Sequence, residues 1–419
     1  MHSKFRFLYE RLREKLWIRP LIFCLLAISA ALAARAANSF GINDLIPQID
    51  HDTVEKLLSI IAASMLGVAT FAVGSMVSAY ASVSSTATPR AFALVISDDV
   101  SKTVLSTFIA AFIFSVVSLI AIKTGYYGQA GLFIIFIMTI AVLGWVVFSF
   151  VRWVDQIARL GRVGTTIGRV EKAAKAAIER CRHSPNLGAL PLNTSADPGE
   201  PIYADSIGYV QHINVDALQA YAEKHKLMLT VAALPGAFIA PGRALIYLQG
   251  HPNDFQNKLD SSLISREFVI GHDRTYDEDP RFGLIALSEI ASRALSPAVN
   301  DPGTAIDIIG TLVRLFDFWV RPLEEIKHSN IKYDRVRAPS LKLDEMFDDA
   351  FTAIARDGAG AIEVGVKLQK AFISLSSIPN NELREAAAKH SKLALARAEL
   401  ALQLPYEIER VRALANKIL

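Results

Sequence analysis

Residues 57–85 read L-L-S-I-I-A-A-S-M-L-G-V-A-T-F-A-V-G-S-M-V-S-A-Y-A-S-V-S-S, and no charged side chain lies between Lys56 and Arg90. About 20 apolar residues cross the hydrocarbon of a bilayer, so this stretch predicts a transmembrane helix with length to spare. Its composition departs from that of a simple lipid anchor. At the ~3.6-residue helical period, Ser64, Gly67, Gly74, Ser75, Ser78, Ser82 and Ser85 fall close to one face, and Met65, Val68, Phe71 and Val77 are read as lying off it. One reading is helix packing, because small residues let backbones approach and serines bond across the interface. The other is that this face lines a polar path.

Working outward, three more apolar runs are found at 18–34, 104–122 and 132–151, the first of them free of charge only after Arg19 and at the short end of what spans. The basic N-terminal flank up to Arg19 resembles that of a signal peptide, but Glu10, Glu14 and three following spans favour an uncleaved first span. Lys and Arg crowd the segments before the first run and after the fourth. The first interhelical segment instead carries Asp44, Asp50, Asp52 and Glu55. The positive-inside rule therefore predicts that both termini are cytoplasmic, with Trp17, Trp153, Tyr126 and Tyr127 at span ends as an interfacial belt. Pro89 marks an interruption between the second and third spans, and Asp98 or Asp99 would cap the third.

Mean hydropathy of +0.31 agrees with a membrane protein carrying a substantial polar part. The formal net charge of +3 is too small to point to nucleic acid. Two cysteines, Cys24 and Cys181, exclude a disulfide framework, and nine scattered histidines form no zinc motif.

The expected fold is a mainly α membrane protein: four transmembrane helices followed by a cytoplasmic α+β domain, itself a small β-barrel-like unit plus a helical bundle. Its expected parts are a four-span domain with a basic cytoplasmic stalk at 1–183, a linker at 184–201, a β-rich unit at 202–280 and a helical domain at 281–419. The stalk is read as the fourth span running on to about residue 182, its charge touching anionic headgroups. A strand is expected at 207–213 and a helix at 215–225. Around Pro235-Gly236 and Pro241-Gly242 the chain reads P-G-A-F-I-A-P-G-R-A-L, which resembles the half-barrel repeat of biotinyl and lipoyl carriers. No lysine occurs between Lys226 and Lys258, so the barrel is kept without the cofactor. Helices are expected at 281–295, 302–319, 341–356, 359–376, 381–404 and 406–419.

Residues 272–307 form the densest polar stretch, H-D-R-T-Y-D-E-D-P-R-F-G-L-I-A-L-S-E-I-A-S-R-A-L-S-P-A-V-N-D-P-G-T-A-I-D. Asp273, Arg274, Asp277, Asp279, Arg281, Asn300 and Asp301 are its candidate ligand-binding residues. Each also has a structural reading, such as Asp301 capping a helix whose first residue is Pro302. The run R-T-Y-D-E-D-P-R-F-G-L followed by A-L-S-P-A-V-N-D-P-G-T-A resembles a bacterial family of predicted membrane proteins, domain of unknown function twenty-two fifty-four. S-I-I-A-A-S-M, G-Y-V-Q-H-I-N-V-D-A-L and F-V-I-G-H-D-R-T extend the likeness to nearly the whole chain. The resemblance implies a multi-pass bacterial inner-membrane protein, and no catalytic residue is carried over.

Three functions are weighed. The first is an oligomeric channel-like or transport protein for ions or small solutes, with membrane lipids and further copies of itself as partners. No intramembrane charge marks an ion path, but a hydrophobic constriction gates without one. The second is a membrane-anchored cytoplasmic sensor or scaffold binding a small molecule or protein. The third is a metal-dependent enzyme using His272, Asp277 and Asp279, which is disfavoured because loop carboxylates are common and no nucleophile or phosphate-loop motif is present. No metal or cofactor is assigned.

Overall fold

The computed structural model describes residues 18–34, 47–86, 88–96, 99–159, 162–192, 199–250, 261–322 and 331–418. The chain forms two compact units. One comprises His2–Ser85 and Phe92–Thr165, and the other Thr166–Leu419 together with the short segment Thr86–Ala91.

In the membrane unit the helices are α1 (Ile18–Ala33), α2 (His51–Thr86), α3 (Pro89–Ile96, whose first three residues group with the other unit), α4 (Asp99–Lys123) and α5 (Gln129–Arg159). Three of them, α2, α4 and α5, are long and apolar enough to cross a membrane. The first expected span, α1, is an apolar helix of 16 residues. At 1.5 Å per residue it reaches about 24 Å, short of the ~30 Å hydrocarbon. Apolar side chains line the inside and the outside alike. Val54, Leu58, Phe114, Ile122 and Ile135 form one buried cluster, and Ile61, Met65, Ala69, Val104, Phe108 and Trp153 another. Leu25, Leu26, Ile60, Leu66, Ile120 and Phe148 are exposed, as a surface in contact with lipid requires.

The expected aromatic belt is only partly an outer feature. Trp153 is buried against Phe71 and Phe150, Tyr127 is buried with its hydroxyl donated to the Ala31 carbonyl, and Trp17 lies outside the described residues. The helix α4 begins at Asp99, and Asp98 is also outside the described residues.

The second unit opens with α6 (Val163–His183), and here the expectation of one continuous stalk fails. The helix α5 ends at Arg159, and α6 is a separate amphipathic helix that buries Thr166, Ile167, Val170, Ala174, Ala177 and Ile178. Its apolar residues at spacings of three and four are a core stripe. The described ends of the expected linker, 184–192 and 199–201, are also built into the fold. They contain a one-turn helix at Pro185–Gly188 and two short strands, β1 (Ala189–Pro191) and β2 (Glu200–Ile202).

The remaining strands are β3 (Gly208–Ile213), β4 (Met228–Val231), β5 (Phe238–Ile239), β6 (Ile246–Gln249), β7 (Phe268–Gly271) and β8 (Tyr333–Ala338). They form an open five-stranded sheet in the order β1-β8-β4-β6-β2 and a three-stranded sheet in the order β5-β3-β7. In the larger sheet β8 runs parallel to β1 and to β4, while β6 is antiparallel to β4 and β2. This replaces the expected barrel. The stretch that resembles a carrier half-barrel contains β5 of the smaller sheet and leads directly into β6 of the larger one, and β8 arrives from far down the chain. The helix α7 (Val215–His225) packs its Leu218 and Ala222 with Val210, Leu229, Ile246 and Val336 from both sheets.

Apart from the short α8 (Ser261–Ser265), the other helices are α9 (Pro280–Ala294), α10 (Pro302–Val320), α11 (Leu343–Asp357), α12 (Ile362–Ser376), α13 (Asn381–Ala401) and α14 (Pro405–Ala415). Their starts follow from local chemistry. Asp279, Asp301 and Asn380 accept the backbone N–H groups of Phe282, Thr304 and Leu383, and Pro280 and Pro302 supply first residues with no N–H to lose. Phe316, Phe347, Phe351 and Phe372 stack and cross in the centre of this bundle. Gly283 brings α9 onto α6, because a Cβ there would lie 2.4 Å from the Ala174 Cβ.

Candidate functional site

The segment from Gly271 to the start of α9 carries most of the residues picked out in the sequence, and the strand β3 explains how it is held. Gln211 donates to the Asp273 carbonyl at 2.6 Å, and His212 Nδ1 lies 2.6 Å from a carboxylate oxygen of Glu278. Arg274 donates from Nε to Asp279 Oδ2 at 2.6 Å. Burial pushes the Asp279 carboxyl up, and the hydrogen bonds from Arg274 and from the Phe282 N–H oppose that shift. The turn at Gly236, with φ +88°, lies directly on this pair: a Cβ there would sit 2.2 Å from Asp279 Oδ2. A side chain at this position would clash and strain the backbone, so glycine is required.

The other candidates are separate from that pair in their bonding. Arg281 bridges α9 to α11, with Nε 2.5 Å from Asp349 Oδ2 and a second bond to Glu345. Asp301 is the cap of α10 and also accepts from the Thr304 hydroxyl at 2.6 Å, which holds its carboxyl below the usual range. Asn300 precedes it with φ +50°, a turn conformation that asparagine tolerates. Asp273 and Asp277 are exposed at the surface of the loop. Caps and ion pairs thus account for Arg274, Asp279, Arg281 and Asp301. Among the described residues no three His, Cys, Asp or Glu side chains are grouped to hold a metal ion, and Asp279, one donor of the weighed metal set, is engaged by Arg274.

On α2 the buried positions are Val54, Leu58, Ile61, Met65, Ala69, Ala72, Met76 and Val83, and the first six of these cluster with side chains of α4 and α5. Ser64, Gly67, Gly74, Ser78 and Ser82 are exposed and Ser75 is half-buried, while the Ser85 side chain is outside those described. A Cβ added at Gly67 or Gly74 would meet nothing within 4 Å. Phe71 corrects the sequence reading. It stands four residues before Ser75 and seven before Ser78, so it belongs on the small-polar face, where it is exposed and packs edge-on against Trp153. Membrane-spanning helices, an outward hydroxylated stripe and the polar loop between β7 and α9 are the features by which this chain can be compared with others.

The sequence profile of the family described as predicted membrane protein, DUF2254, matches residues 13–374. The chain belongs to the DUF2254 family. Similar proteins include two uncharacterized proteins from Mycobacterium tuberculosis strains CDC 1551 and H37Rv and one from Mycobacterium bovis. Each is 34% identical over 116 residues, 26% of this chain. The match covers only about a fifth of the length of these curated relatives, 21%. No solved structure matches the chain.

This DUF2254 protein also has a cleft that sequence reasoning missed. It has a volume of about 600 Å³ and is lined by Thr88, Pro89, Glu289, Ser292, Arg293 and Asp357, together with the turn after α9. Asp357 accepts from Arg356 at 2.6 Å, which holds its carboxyl below the ordinary range against burial, and Ser292 donates to it as well. The only signal in the sequence was the S-P-A-V-N-D-P turn. Nothing in that turn indicates that Asp357, more than fifty residues later, lies beside it.

Proposed function

We propose that the protein is a four-span bacterial inner-membrane protein, with both termini cytoplasmic, that assembles through the small-polar face of α2 and lines a path for ions or small solutes with it. The observation that carries this reading is the outward small-polar face of α2, which lies beside exposed apolar side chains such as Leu66, Val73 and Val77. An apolar stripe of α2 is consumed inside the protomer, while its serines and glycines face outward. Lipid gains nothing from such a face, but the same face of another copy can approach it closely. The hydroxyls are compatible with either a packed or a wet surface, since Ser64 and Thr70 already bond to the Ile60 and Leu66 carbonyls of their own helix. The four-span count takes α1 as a crossing, and the basic flanks set its direction.

Ser78 separates the outcomes. Facing a wet lumen, Ser78→Asp assembles and changes cation over anion preference in planar-bilayer recordings. In lipid or a dry interface the same change costs about 2.5–3.5 kcal/mol at the helix centre and lowers membrane yield. Wild-type protein that conducts nothing sinks the path reading.

A membrane-anchored sensor or scaffold is the second reading, favoured by the cleft beside Ser292 and Asp357. Its volume of about 600 Å³ falls within the range of small-molecule sites.

A further inference from the structure

The segment Thr86–Ala91 follows α2 directly and includes the first residues of α3, yet it groups with Thr166–Leu419 and not with the helices on either side of it. The bonds that hold it are specific. The Arg90 guanidinium pairs with Glu289 on α9. The Tyr276 hydroxyl donates to the Arg90 carbonyl at 3.2 Å, and its ring packs on Phe282 with centroids 4.6 Å apart. Thr88 is buried, and its hydroxyl oxygen lies 3.4 Å from the Ala91 N–H, so that it caps the helix that Pro89 begins. Thr88 and Pro89 form one wall of the 600 Å³ cleft, and Glu289, Ser292 and Asp357 are among the residues of the others.

We propose that residues 88–90 are a releasable strap: the Arg90–Glu289 pair and the Tyr276 hydrogen bond fasten the segment after α2 to α9, and its release takes away one wall of the cleft and widens it. The fastening suits such a role. No apolar side chain of the strap other than Pro89 lines the cleft, and the bonds that hold the strap in place are polar. Arg90 is 46% and Glu289 30% exposed in their side chains, so the pair is partly screened by water and weakened by salt. Glu289 belongs to both structures, as a partner of Arg90 and as a wall of the cleft. A cationic occupant of the cleft therefore competes with Arg90 for it. Because α2 ends in this segment, release also frees the end of the helix whose outward face is assigned above to the path. That last link rests on the channel reading, whereas the strap itself does not.

The test uses the full chain in membranes, with Cys24 and Cys181 changed to serine and Thr88→Cys as the probe in every sample, so that loss of the cap is common to all. Maleimide labelling of this buried position reports opening. Glu289→Gln and Arg90→Gln are expected to raise the labelling rate about fivefold, the upper end for an exposed pair. The double variant should rise no further than either single one, and Arg90→Glu with Glu289→Arg should return it toward the starting rate. Raised salt should speed labelling of the parent and leave the single variants unchanged. Tyr276→Phe, which removes one hydroxyl and keeps the ring, is the second probe should a charge variant fail to fold. Equal labelling across the set, additive single effects or a charge swap that does not restore protection would each overturn the strap. Labelling that responds while conductance does not would retain the strap and remove its link to α2.

Discussion

Arg274 and Asp279 are five residues apart, and their 2.6 Å bond closes the loop between β7 and α9 over a carboxylate that is almost wholly enclosed. Asp279 acts twice, as the cap of α9 and as the counter-charge of Arg274. Removing it leaves a largely buried guanidinium without a partner and the Phe282 N–H without an acceptor. Asp279→Ala is expected to lower stability by about 3–5 kcal/mol, the range for breaking a buried pair. Asp279→Asn keeps the cap and should fall between that variant and the parent. Thermal melts of the purified chain rank the three, and an alanine variant as stable as the parent would contradict the packing described.

His390 supplies a pH dependence. It is buried beside Phe347 and Phe372, with Nε2 3.5 Å from Asp348 Oδ1, and burial lowers its pKa below the ordinary 6.5. The folded chain therefore holds the ring neutral where the unfolded chain takes up a proton. Stability is present above about pH 6.5 and falls as the pH drops through that value toward the lower folded pKa. His390→Phe should make this part of the acid-side loss disappear, measured as the difference in melting temperature between pH 7.5 and pH 5.5. An unchanged difference would mean that carboxylates alone set the acid limit.

The helices of the second unit were legible because their ends carry strong local signals. Asp279-Pro280, Asp301-Pro302 and Asn380 each fix a start, and Val215–His225 agrees with the expected helix to the residue. What could not be read was long-range. The strand β8, Tyr-Asp-Arg-Val-Arg-Ala, buries Tyr333, Val336 and Ala338, but its three charges dilute the alternation. Its parallel partners lie about a hundred residues or more upstream. Residues 152–182 carried a basic pattern that suits a membrane flank equally well, and only packing shows Ala174 against Gly283. For the polar loop, the density of polar residues drew attention to Arg274 and Asp279, but nothing in the sequence indicated that they bond to each other. His212 and Gln211, which bind that loop to β3, lie in a stretch that carries the family likeness, but nothing in the sequence indicates this contact.

The start of the second unit follows from the same packing. A chain beginning at residue 201 lacks α6, β1 and part of β2, and so loses one edge of the five-stranded sheet and the partner of Gly283. It is expected to aggregate or to melt without a cooperative transition, whereas residues 163–419 should give one. Within the longer chain Gly283→Leu should abolish the transition or lower it by several degrees, because α6 cannot move away from α9 without exposing Ile178 and Val170, both fully buried. A cooperative melt from residue 201 onward would show that α6 is dispensable.

The outward face of α2 can be tested without any assay of conduction. Met76, Val77 and Ser78 are consecutive, and the helical turn of about 100° per residue sends them in three directions. Met76 points into the protomer at 6% exposure, Val77 is 60% exposed on the apolar outer side, and Ser78 is exposed on the small-polar side. Each is replaced by cysteine in turn, with Cys24 and Cys181 changed to serine, and the membranes are treated with a mild oxidant. If copies of the chain meet through the small-polar face, the Ser78 cysteine forms a covalent dimer and the other two do not. Small neighbours at Gly74, Ser75 and Ser82 allow the two backbones to come within the roughly 4.4–6.8 Å Cα separation that a disulfide needs. Dimer formation at Val77 alone would move the interface to the apolar side and return the serines to some other contact. Absence of any dimer, with the cysteines shown to be reactive after solubilisation, would mean that lipid covers the face, and the oligomer proposed through α2 would fall with it.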